Sequence, residues 1–431
     1  MKLLIIGAGP GGYETAVEAA KRGMEVTLIN EGPLGGTCLN EGCIPTKTFC
    51  HYAQLIEENL KAGLDCKPSF VTAAERRQAV IQQLRSGVEL LLKGVQVIQG
   101  RAAFKDARTV LCNGQEYTAD RIIIATGSLS ASLPVPGAES CITSKEILEL
   151  TQAPESLCVI GGGVIGLEFA SIFRSFGSEV TVLEFCPTIL PRFDTDLAKR
   201  LKQSLSRRGI NIEVQAQVTR IDGNTVTYVK KEKEFTVQAD KVLMAVGRRP
   251  NVEGLNLEAA GIEYSRKGIA VNDSFETSVP GIYAVGDVTG GIMLAHAATY
   301  QGLRALNSIC GQKDSIRFDL VPAAVFTMPE VAMAGLTEEQ CKEQGIEFRC
   351  LKSFYRANGK AVSMDQTDGY CKLITGADGS ILGAHLMGAH ASDLIHEIAA
   401  VMNLNGTLEQ MQSVIHAHPT LSEVLQSAIH E

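Results

Sequence analysis

The sequence predicts an α/β fold with two repeated βαβ units and a C-terminal α+β segment, and three observations predict it. A short apolar run, a glycine-rich turn, a helix and a second apolar run follow one another within residues 2–29. The same order recurs within residues 157–183. After Asp319 the pattern changes to one in which strands and helices no longer alternate regularly. Repeated βαβ units imply parallel sheets with helices on their faces.

The first βαβ unit begins at the N-terminus. Lys2–Ile6 is a short apolar run that ends at a glycine, as a buried parallel strand does. Gly11–Arg22 has the periodicity of a helix, and Glu25–Ile29 is predicted as the next strand. Beyond this unit we predict helices at residues 44–62 and 73–92 and short strands near residues 95–98, 109–112 and 121–125.

The second βαβ unit follows a crossover rich in proline and glycine. Its strand, helix and strand are predicted at residues 157–160, 163–176 and 179–183, with an amphipathic helix at residues 196–207 after them. Strands are predicted near residues 212–222, 225–230, 235–239 and 242–246, and the charged run 230–234 is expected to be a solvated hairpin tip. The C-terminal α+β segment is predicted to hold strands near residues 370–374 and 381–387 and a helix at residues 392–404.

Composition excludes several classes of protein. The 431 residues carry a net charge of −8, which argues against a broad basic surface for nucleic acid or anionic lipid. No apolar run reaches the ~20 residues that a membrane span requires. The 12 cysteines are scattered and show no zinc-type spacing, so we expect no metal site and a reducing, cytoplasmic location.

The first glycine-rich turn, Gly7-Ala8-Gly9-Pro10-Gly11-Gly12, directly follows a strand. Gly7 permits the tight turn, Gly9 lets a pyrophosphate approach the backbone, and Gly12 allows the helix to pack closely on the strand. The helix N-terminus then presents N–H groups to the phosphates. Glu31 follows near the end of the next strand, where an acidic residue is expected to bind an adenosine ribose.

The second glycine-rich turn, Gly161-Gly162-Gly163-Val164-Ile165-Gly166, repeats this pattern, with Glu184 as its acidic residue. A carboxylate at this position repels a 2′-phosphate and binds a free 2′-hydroxyl, so we predict NAD(H) rather than NADP(H). Two Rossmann-like sites in one chain suggest two different dinucleotides. We predict a tightly held flavin, FAD, and a diffusible nicotinamide, NAD.

The segment from Gly35 to Lys47, GGTCLNEGCIPTK, contains the only close cysteine pair, Cys38 and Cys43. The pair lies where a loop enters a helix, and Pro45 suits the first turn of that helix. A thiol at a helix N-terminus has a stabilised thiolate, which disulfide exchange requires. Glu41 places an additional negative charge inside this loop.

This segment resembles the redox-active disulfide motif of the class I pyridine nucleotide–disulfide oxidoreductases, and within them it is closest to the dihydrolipoamide dehydrogenases. The resemblance extends over essentially the whole chain through three further motifs: Ala125-Thr126-Gly127-Ser128, Ala245-Val246-Gly247-Arg248-Arg249-Pro250-Asn251 and Gly281-Ile282-Tyr283-Ala284-Val285-Gly286-Asp287. It implies an FAD domain at 1–141 and 266–318, an NAD domain at 142–265 and a dimerisation domain at 319–431.

The resemblance also implies roles for individual residues. Cys38 is expected to exchange with substrate, Cys43 to face the flavin, and Lys47 and Glu168 to lie beside flavin N5. Asp287 is expected to bind the ribitol. The remaining residues expected to contact a cofactor are Gly7, Gly9, Pro10, Gly11, Gly12, Glu31, Gly36, Thr37, Ala102, Thr126, Gly127, Ser128, Gly161, Gly163, Val164, Ile165, Gly166, Glu184, Val218, Gly247, Met293, Leu294, Ala295 and His296.

Near the C-terminus, the run HAHPTLSE contains His418 and Glu423. A histidine suits proton transfer near neutral pH, and Pro419 is expected to start a helix that places Glu423 one turn along. By resemblance these two residues form a catalytic dyad that serves the neighbouring subunit, which implies a homodimer with shared sites. The histidines at 385, 390, 396, 416 and 430 receive no such role.

The predicted activity is oxidation of dihydrolipoamide by NAD⁺ through a Cys38–Cys43 disulfide and FAD, with a lipoylated protein of a 2-oxoacid dehydrogenase or glycine cleavage complex as partner. One alternative is another flavin-dependent reductase of a small disulfide such as glutathione. A further alternative is an FAD-binding interaction subunit without catalysis, which the intact Cys38, Cys43, His418 and Glu423 argue against.

Overall fold

The computed structural model describes residues 1–64 and 68–431 of the chain, so Cys66 lies outside the described residues. Its fold class is the predicted one: two units built on parallel sheets and a C-terminal α+β unit built on an antiparallel sheet. No helix among the described residues is long and apolar enough to cross a membrane.

The first unit is built on a five-stranded parallel sheet whose central strands are almost inaccessible to solvent. In spatial order its strands are Ile282–Ala284, Arg121–Ile124, Lys2–Ile6, Glu25–Asn30 and Gln96–Gln99. Helices Pro10–Lys21 and Ala295–Ile309 pack against each other beside it. The edge strand at 282–284 follows the second unit in sequence, so the chain leaves this sheet and later returns to complete it.

The second unit is built on a four-stranded parallel sheet with two flanking helices, Val164–Ser175 and Thr195–Arg207. Its strands, in spatial order, are Ile210–Val214, Glu179–Glu184, Ser156–Ile160 and Lys241–Met244. The prediction of one strand over residues 212–222 is wrong. The chain breaks at Gln215, which has φ of 56°, and a separate strand, Gln217–Asp222, joins another sheet.

Two small antiparallel sheets extend from the parallel ones. One consists of Ala103–Asp106, Thr109–Cys112 and Gln115–Thr118, and the other of Gln217–Asp222, Thr225–Lys230 and Lys233–Gln238. The predicted hairpin tip is confirmed, because Lys230 pairs with Lys233 across a two-residue turn. The short pairs Ser128–Ser130 with Arg248–Pro250 and Tyr264–Ser265 with Gly268–Ile269 complete the minor strands.

The C-terminal unit is a five-stranded antiparallel sheet. Its strands, in spatial order, are Ala323–Val325, Glu330–Gly335, Ile381–Gly388, Tyr370–Gly376 and Phe348–Phe354, and its helices are Glu338–Glu343, Gly359–Ser363, Ala391–Asn403, Leu408–Gln412 and Glu423–Ile429. The last helix starts at Glu423. The prediction that Pro419 starts it is therefore wrong, and Glu423 is in its first turn rather than one turn along.

Two long helices, Cys43–Lys61 and Phe70–Leu91, lie in the chain between two strands of the first sheet, and the first of them packs against helix Val164–Ser175 of the second unit. The sequence predicts both, although each begins one to three residues earlier than expected. A short helix, Gly36–Glu41, precedes them and is not predicted, because six residues are too few to show helical periodicity. Gly42 separates this short helix from Cys43–Lys61, so the two cysteines lie on either side of a sharp change of chain direction.

Candidate functional site

One continuous cleft of about 2760 Å³ runs from the first glycine-rich turn to the second and reaches the C-terminal unit. Open α/β sheets bind ligands beyond the carboxyl ends of their strands, and the glycine-rich turns lie at those ends. Every residue predicted to contact a cofactor lines this cleft, except Gly12 and Gly166.

Gly12 and Gly166 have a packing role that explains their absence from the cleft wall. A Cβ atom on Gly12 would lie 1.9 Å from the carbonyl oxygen of Gly7, and one on Gly166 would lie 2.0 Å from that of Gly161. Each glycine therefore lets its helix approach the preceding turn. A Cβ on Gly9 or Gly163 would meet nothing within 4 Å, which leaves open space in front of each helix N-terminus. These two openings fit the pyrophosphates of two dinucleotides.

The strand ends beside the two turns are hydrogen-bonded in the same way. Gly7 N–H donates to the Ile29 carbonyl at 2.8 Å, and Gly161 N–H donates to the Leu183 carbonyl at the same distance. Glu184, which is buried, accepts a 2.6 Å hydrogen bond from Gly162 N–H. Glu31 lies at the exposed rim of the cleft, 4.0 Å from Arg101.

A polar cluster of Ser128, Arg248 and Asp287 joins the three motifs that contain these residues. Ser128 Oγ donates to Asp287 Oδ2 at 2.5 Å, and Arg248 Nε donates to Ser128 Oγ at 2.7 Å. Burial lowers the pKa of the Arg248 guanidinium, although Asp287 opposes this effect. Sequence analysis gave Arg248 no role, although the motif at residues 245–251, which contains it, could have indicated one.

Cys38 and Cys43 lie next to each other, and a hydrogen bond between their thiols shifts the pKa values of both. Cys43 is the first residue of a 19-residue helix, whose N-terminal dipole favours a thiolate. The pKa of Cys43 is lowered, first because the Cys38 thiol donates to it; burial opposes this shift, and nearby Lys47 supports it. The pKa of Cys38 is raised, first by that hydrogen bond and then by burial. The pair is thus polarised, with Cys43 as the thiolate.

Lys47 and Glu168 form the charged centre of the cleft. Lys47 Nζ donates to both carboxylate oxygens of Glu168 at 2.8 Å, and Phe326 N–H donates to one of them at 2.9 Å. Burial alone would lower the pKa of the Lys47 ammonium, but the Glu168 carboxylate outweighs it and the net pKa is raised. Lys47 also lies 4.4 Å from the centre of the Phe326 ring. No sequence signal pointed to Phe326, which the C-terminal unit contributes.

We expect substitutions of this ion pair to shift the Cys43 pKa in opposite directions. Lys47→Met should raise it, because the positive charge stabilises the thiolate, whereas Glu168→Gln should lower it, because the carboxylate opposes the thiolate. The measurement is the pH dependence of Cys43 alkylation in the reduced protein, followed by mass spectrometry of its peptide. Glu213→Gln is the matched control, since it breaks a Lys230–Glu213 pair at 2.5 Å outside the cleft. Shifts of the same sign in both variants would contradict the assignment.

Glu41 is balanced by a charge that the sequence did not indicate. Its carboxylate lies 2.7 Å from Lys145 Nζ, on the segment that leads into the second unit. The hydrogen bond to Glu41 is the main reason why the pKa of Lys145 is raised. The pair therefore ties the short helix that carries Cys38 to the second unit and neutralises the additional charge of the disulfide loop.

His418 and Glu423 form the expected pair, with His418 Nδ1 2.8 Å from Glu423 Oε1. Thr420 N–H donates to the other carboxylate oxygen at 2.7 Å, and this hydrogen bond is the main reason why the pKa of Glu423 is lowered. The His418 side chain is 77% exposed. Neither residue lines the cleft that contains the cysteine pair, so a single chain does not bring the two groups together.

Comparison with known proteins matches residues 1–302 to the pyridine nucleotide-disulphide oxidoreductase family and residues 321–429 to the dimerisation domain of that family. The chain is 39% identical to a dihydrolipoyl dehydrogenase of Bacillus subtilis, over 100% of this chain and 98% of the relative. It is 40% identical to the dihydrolipoyl dehydrogenase of Geobacillus stearothermophilus, over 99% and 94% respectively.

Solved structures give the same result. The HOCl-induced flavoprotein disulfide reductase RclA of Escherichia coli superposes with a TM-score of 0.90 at 32% identity, over 100% of this chain and 99% of that one. LpdA of Mycobacterium tuberculosis superposes with a TM-score of 0.92 at 29% identity, over the same shares. Together with the two family matches, these likenesses show that the chain belongs to the pyridine nucleotide-disulphide oxidoreductase family.

Proposed function

We propose that the protein is a dihydrolipoyl dehydrogenase, which oxidises dihydrolipoamide to lipoamide and reduces NAD⁺ to NADH. One observation carries this proposal. A polarised thiol pair and an ion pair, Lys47–Glu168, lie in the same cleft as two dinucleotide cradles. Full-length relatives that are named dihydrolipoyl dehydrogenases support the substrate and both cofactors.

The proposed division of the chain follows the two sheets. Residues 1–141 and 266–318 form the FAD domain, residues 142–265 the NAD domain and residues 319–431 the dimerisation domain. When bound, the flavin supplies hydride transfer between the cysteine pair and the nicotinamide. The open space at Gly9 and the polar cluster around Asp287 fit the flavin dinucleotide, and the space at Gly163 with Glu184 fits NAD.

The chain's own residues then carry out thiol–disulfide exchange. His418, held by Glu423, takes a proton from the first substrate thiol, and the resulting thiolate attacks Cys38 of the Cys38–Cys43 disulfide. The bond between the two cysteines breaks and leaves Cys43 as a thiolate beside Lys47. The second substrate thiol displaces Cys38 from the mixed disulfide, and its proton passes to the Cys38 sulfur, which leaves as a thiol while His418 keeps the first proton. Two electrons have passed from the substrate to the cysteine pair, and the product is a disulfide.

This scheme requires a homodimer in which each His418 serves the partner's cysteine pair. The family's dimerisation domain and the absence of His418 from the cleft support it. We further propose a cytoplasmic location and, as partner, a separate lipoylated protein of a 2-oxoacid dehydrogenase or glycine cleavage complex.

A second candidate is a reductase of another small disulfide. The full-length likeness to the Escherichia coli flavoprotein disulfide reductase favours it. The deciding experiment compares the rates with NAD⁺ and dihydrolipoamide, with NADH and lipoamide, and with NADPH and oxidised glutathione. We expect the first two reactions to exceed the third by at least about 100-fold in kcat/KM. Faster turnover of glutathione would support the second candidate instead.

The nicotinamide preference should depend on Glu184. We expect Glu184→Arg to shift the ratio of kcat/KM for NADPH over NADH upward by at least about tenfold, because it exchanges a repulsive charge for an attractive one at the 2′-phosphate. Glu179→Arg is the matched control, since Glu179 is an exposed residue at the start of the same strand and is not in the cleft. An unchanged ratio in Glu184→Arg, or an equal shift in the control, would contradict the assignment.

A further inference from the structure

The two βαβ units can be aligned by their hydrogen bonds rather than by sequence spacing. The N–H of Gly7 and that of Gly161 donate to the last fully paired strand residue of their own unit, Ile29 and Leu183. The following residues are therefore equivalent. Asn30 in the first unit corresponds to Glu184 in the second, and Glu31 corresponds to Phe185.

The side chains at these equivalent positions make the same contact with the turn. Ala8 N–H donates to Asn30 Oδ1 at 2.9 Å, just as Gly162 N–H donates to Glu184 Oε2 at 2.6 Å. Asn30 and Glu184 are each buried, with 7% of the residue exposed, and each lines the cleft. Glu31 makes no such contact with the turn, and its side chain is 69% exposed.

The second polar atom of each side chain shows why the residue types differ. Glu184 Oε1 accepts from the N–H of Cys186, two residues ahead, at 2.6 Å. Asn30 Nδ2 donates to the carbonyl oxygen of Gly32, which is also two residues ahead. The loop after Asn30 thus presents a carbonyl acceptor, whereas the loop after Glu184 presents an N–H donor at the equivalent place. A carboxylate at position 30 would face that carbonyl oxygen without a proton between them, whereas an amide satisfies it.

We infer that Asn30, and not Glu31, contacts the ribose hydroxyls of the dinucleotide held by the first unit. After its two contacts, the amide keeps one N–H and one oxygen lone pair for a vicinal diol, whereas Glu184 keeps only acceptors. The residue that faces the ribose is therefore neutral in the first unit, and only the second unit, through Glu184, repels a phosphorylated ribose. This inference rests on the proposed binding of FAD to the first unit.

The test measures FAD affinity and does not depend on turnover. Apoprotein is titrated with FAD, and free flavin is read by its fluorescence after ultrafiltration. We expect Asn30→Ala to raise Kd about tenfold, or about 1.4 kcal/mol. Asn30→Asp, which keeps the size and the acceptor for Ala8 N–H, should raise it at least as much because of the Gly32 carbonyl. Glu31→Gln should change it less than about twofold.

The outcomes separate this inference from the proposed function. A tenfold weakening by Glu31→Gln with little effect of Asn30→Ala would overturn the assignment, and tighter binding by Asn30→Asp would overturn the neutral ribose position. If Asn30→Ala fails to fold, the isosteric Asn30→Asp and Glu31→Gln variants still decide between the two residues. A wild-type protein that binds FAD but does not oxidise dihydrolipoamide would refute the proposed substrate and leave the Asn30 result standing. A wild-type protein that binds no FAD would refute both.

Discussion

Cys38→Ser and Cys43→Ser are each expected to abolish turnover of dihydrolipoamide, by a factor on the order of 10⁴, because neither single thiol can form the internal disulfide that accepts two electrons. The two variants should nevertheless differ in thiol reactivity. Cys43 is the polarised thiolate, whereas burial continues to raise the pKa of Cys38 when its partner is removed.

Alkylation of each reduced variant as a function of pH measures this difference. In Cys38→Ser, the remaining Cys43 should react at lower pH than the remaining Cys38 of Cys43→Ser, since Lys47 and the helix N-terminus favour the Cys43 thiolate against the effect of burial. In Cys43→Ser, the remaining Cys38 should react only at higher pH. Cys350→Ser, outside the cleft, is the control and should retain turnover. Equal reactivity of the two single thiols would refute the polarised pair.

His418→Ala is expected to remove most turnover as well, and its defect should be repaired in mixed dimers with Cys43→Ser. If each His418 serves the partner's cysteine pair, a mixed dimer has one intact site and one site with both defects. Random mixing gives half mixed dimers with half of their sites intact, so about a quarter of wild-type activity is expected. Purification with two different tags isolates the mixed dimers, in which about half of the wild-type rate per flavin is expected, against about a quarter in the unpurified mixture.

Mixed dimers of Cys38→Ser with Cys43→Ser are the matched control. Both substitutions damage the same half of the site, so every site in the mixed dimer stays defective and no recovery is expected. Recovered activity in the control would mean that mixing restores activity without sharing of residues between subunits. No recovery in mixed dimers of His418→Ala with Cys43→Ser would mean that the dyad acts within its own chain. Thermal unfolding of each variant should be close to that of the wild type, because His418 is largely exposed.

Several features of this site follow from local sequence alone. The strands beginning at Lys2 and Glu179 are confirmed because a continuous apolar run beside a glycine turn has few alternatives as a buried parallel strand. The roles of Gly12 and Gly166 in packing follow from their spacing, and the 1.9 and 2.0 Å approaches agree with it. Fewer strands of the C-terminal sheet were predicted. The apolar and polar residues of Glu330–Gly335 and Phe348–Phe354 alternate only weakly, and these strands are buried by the elements that pack on them.

The ribose contact that we infer for Asn30 illustrates a different limit. Spacing from the glycine turn predicts a position only to within about one residue, and at a strand end one residue reverses the direction of the side chain. An acidic residue was available at 31, so the sequence favoured it. Only the hydrogen bonds of Gly7 and Ala8 fix the register and place Asn30 at that point.

The sequence by itself determined the chemistry: two dinucleotide cradles, a thiol pair at a helix start and a histidine with its carboxylate. These are contacts within a few residues of chain, and local geometry dictates them. The tertiary structure alone decided which distant groups meet. It added Phe326 to the Lys47–Glu168 pair that the resemblance implied, and it balanced Glu41 with Lys145. Such contacts join residues more than 100 positions apart, and they depend on how the packed units dock rather than on any local pattern.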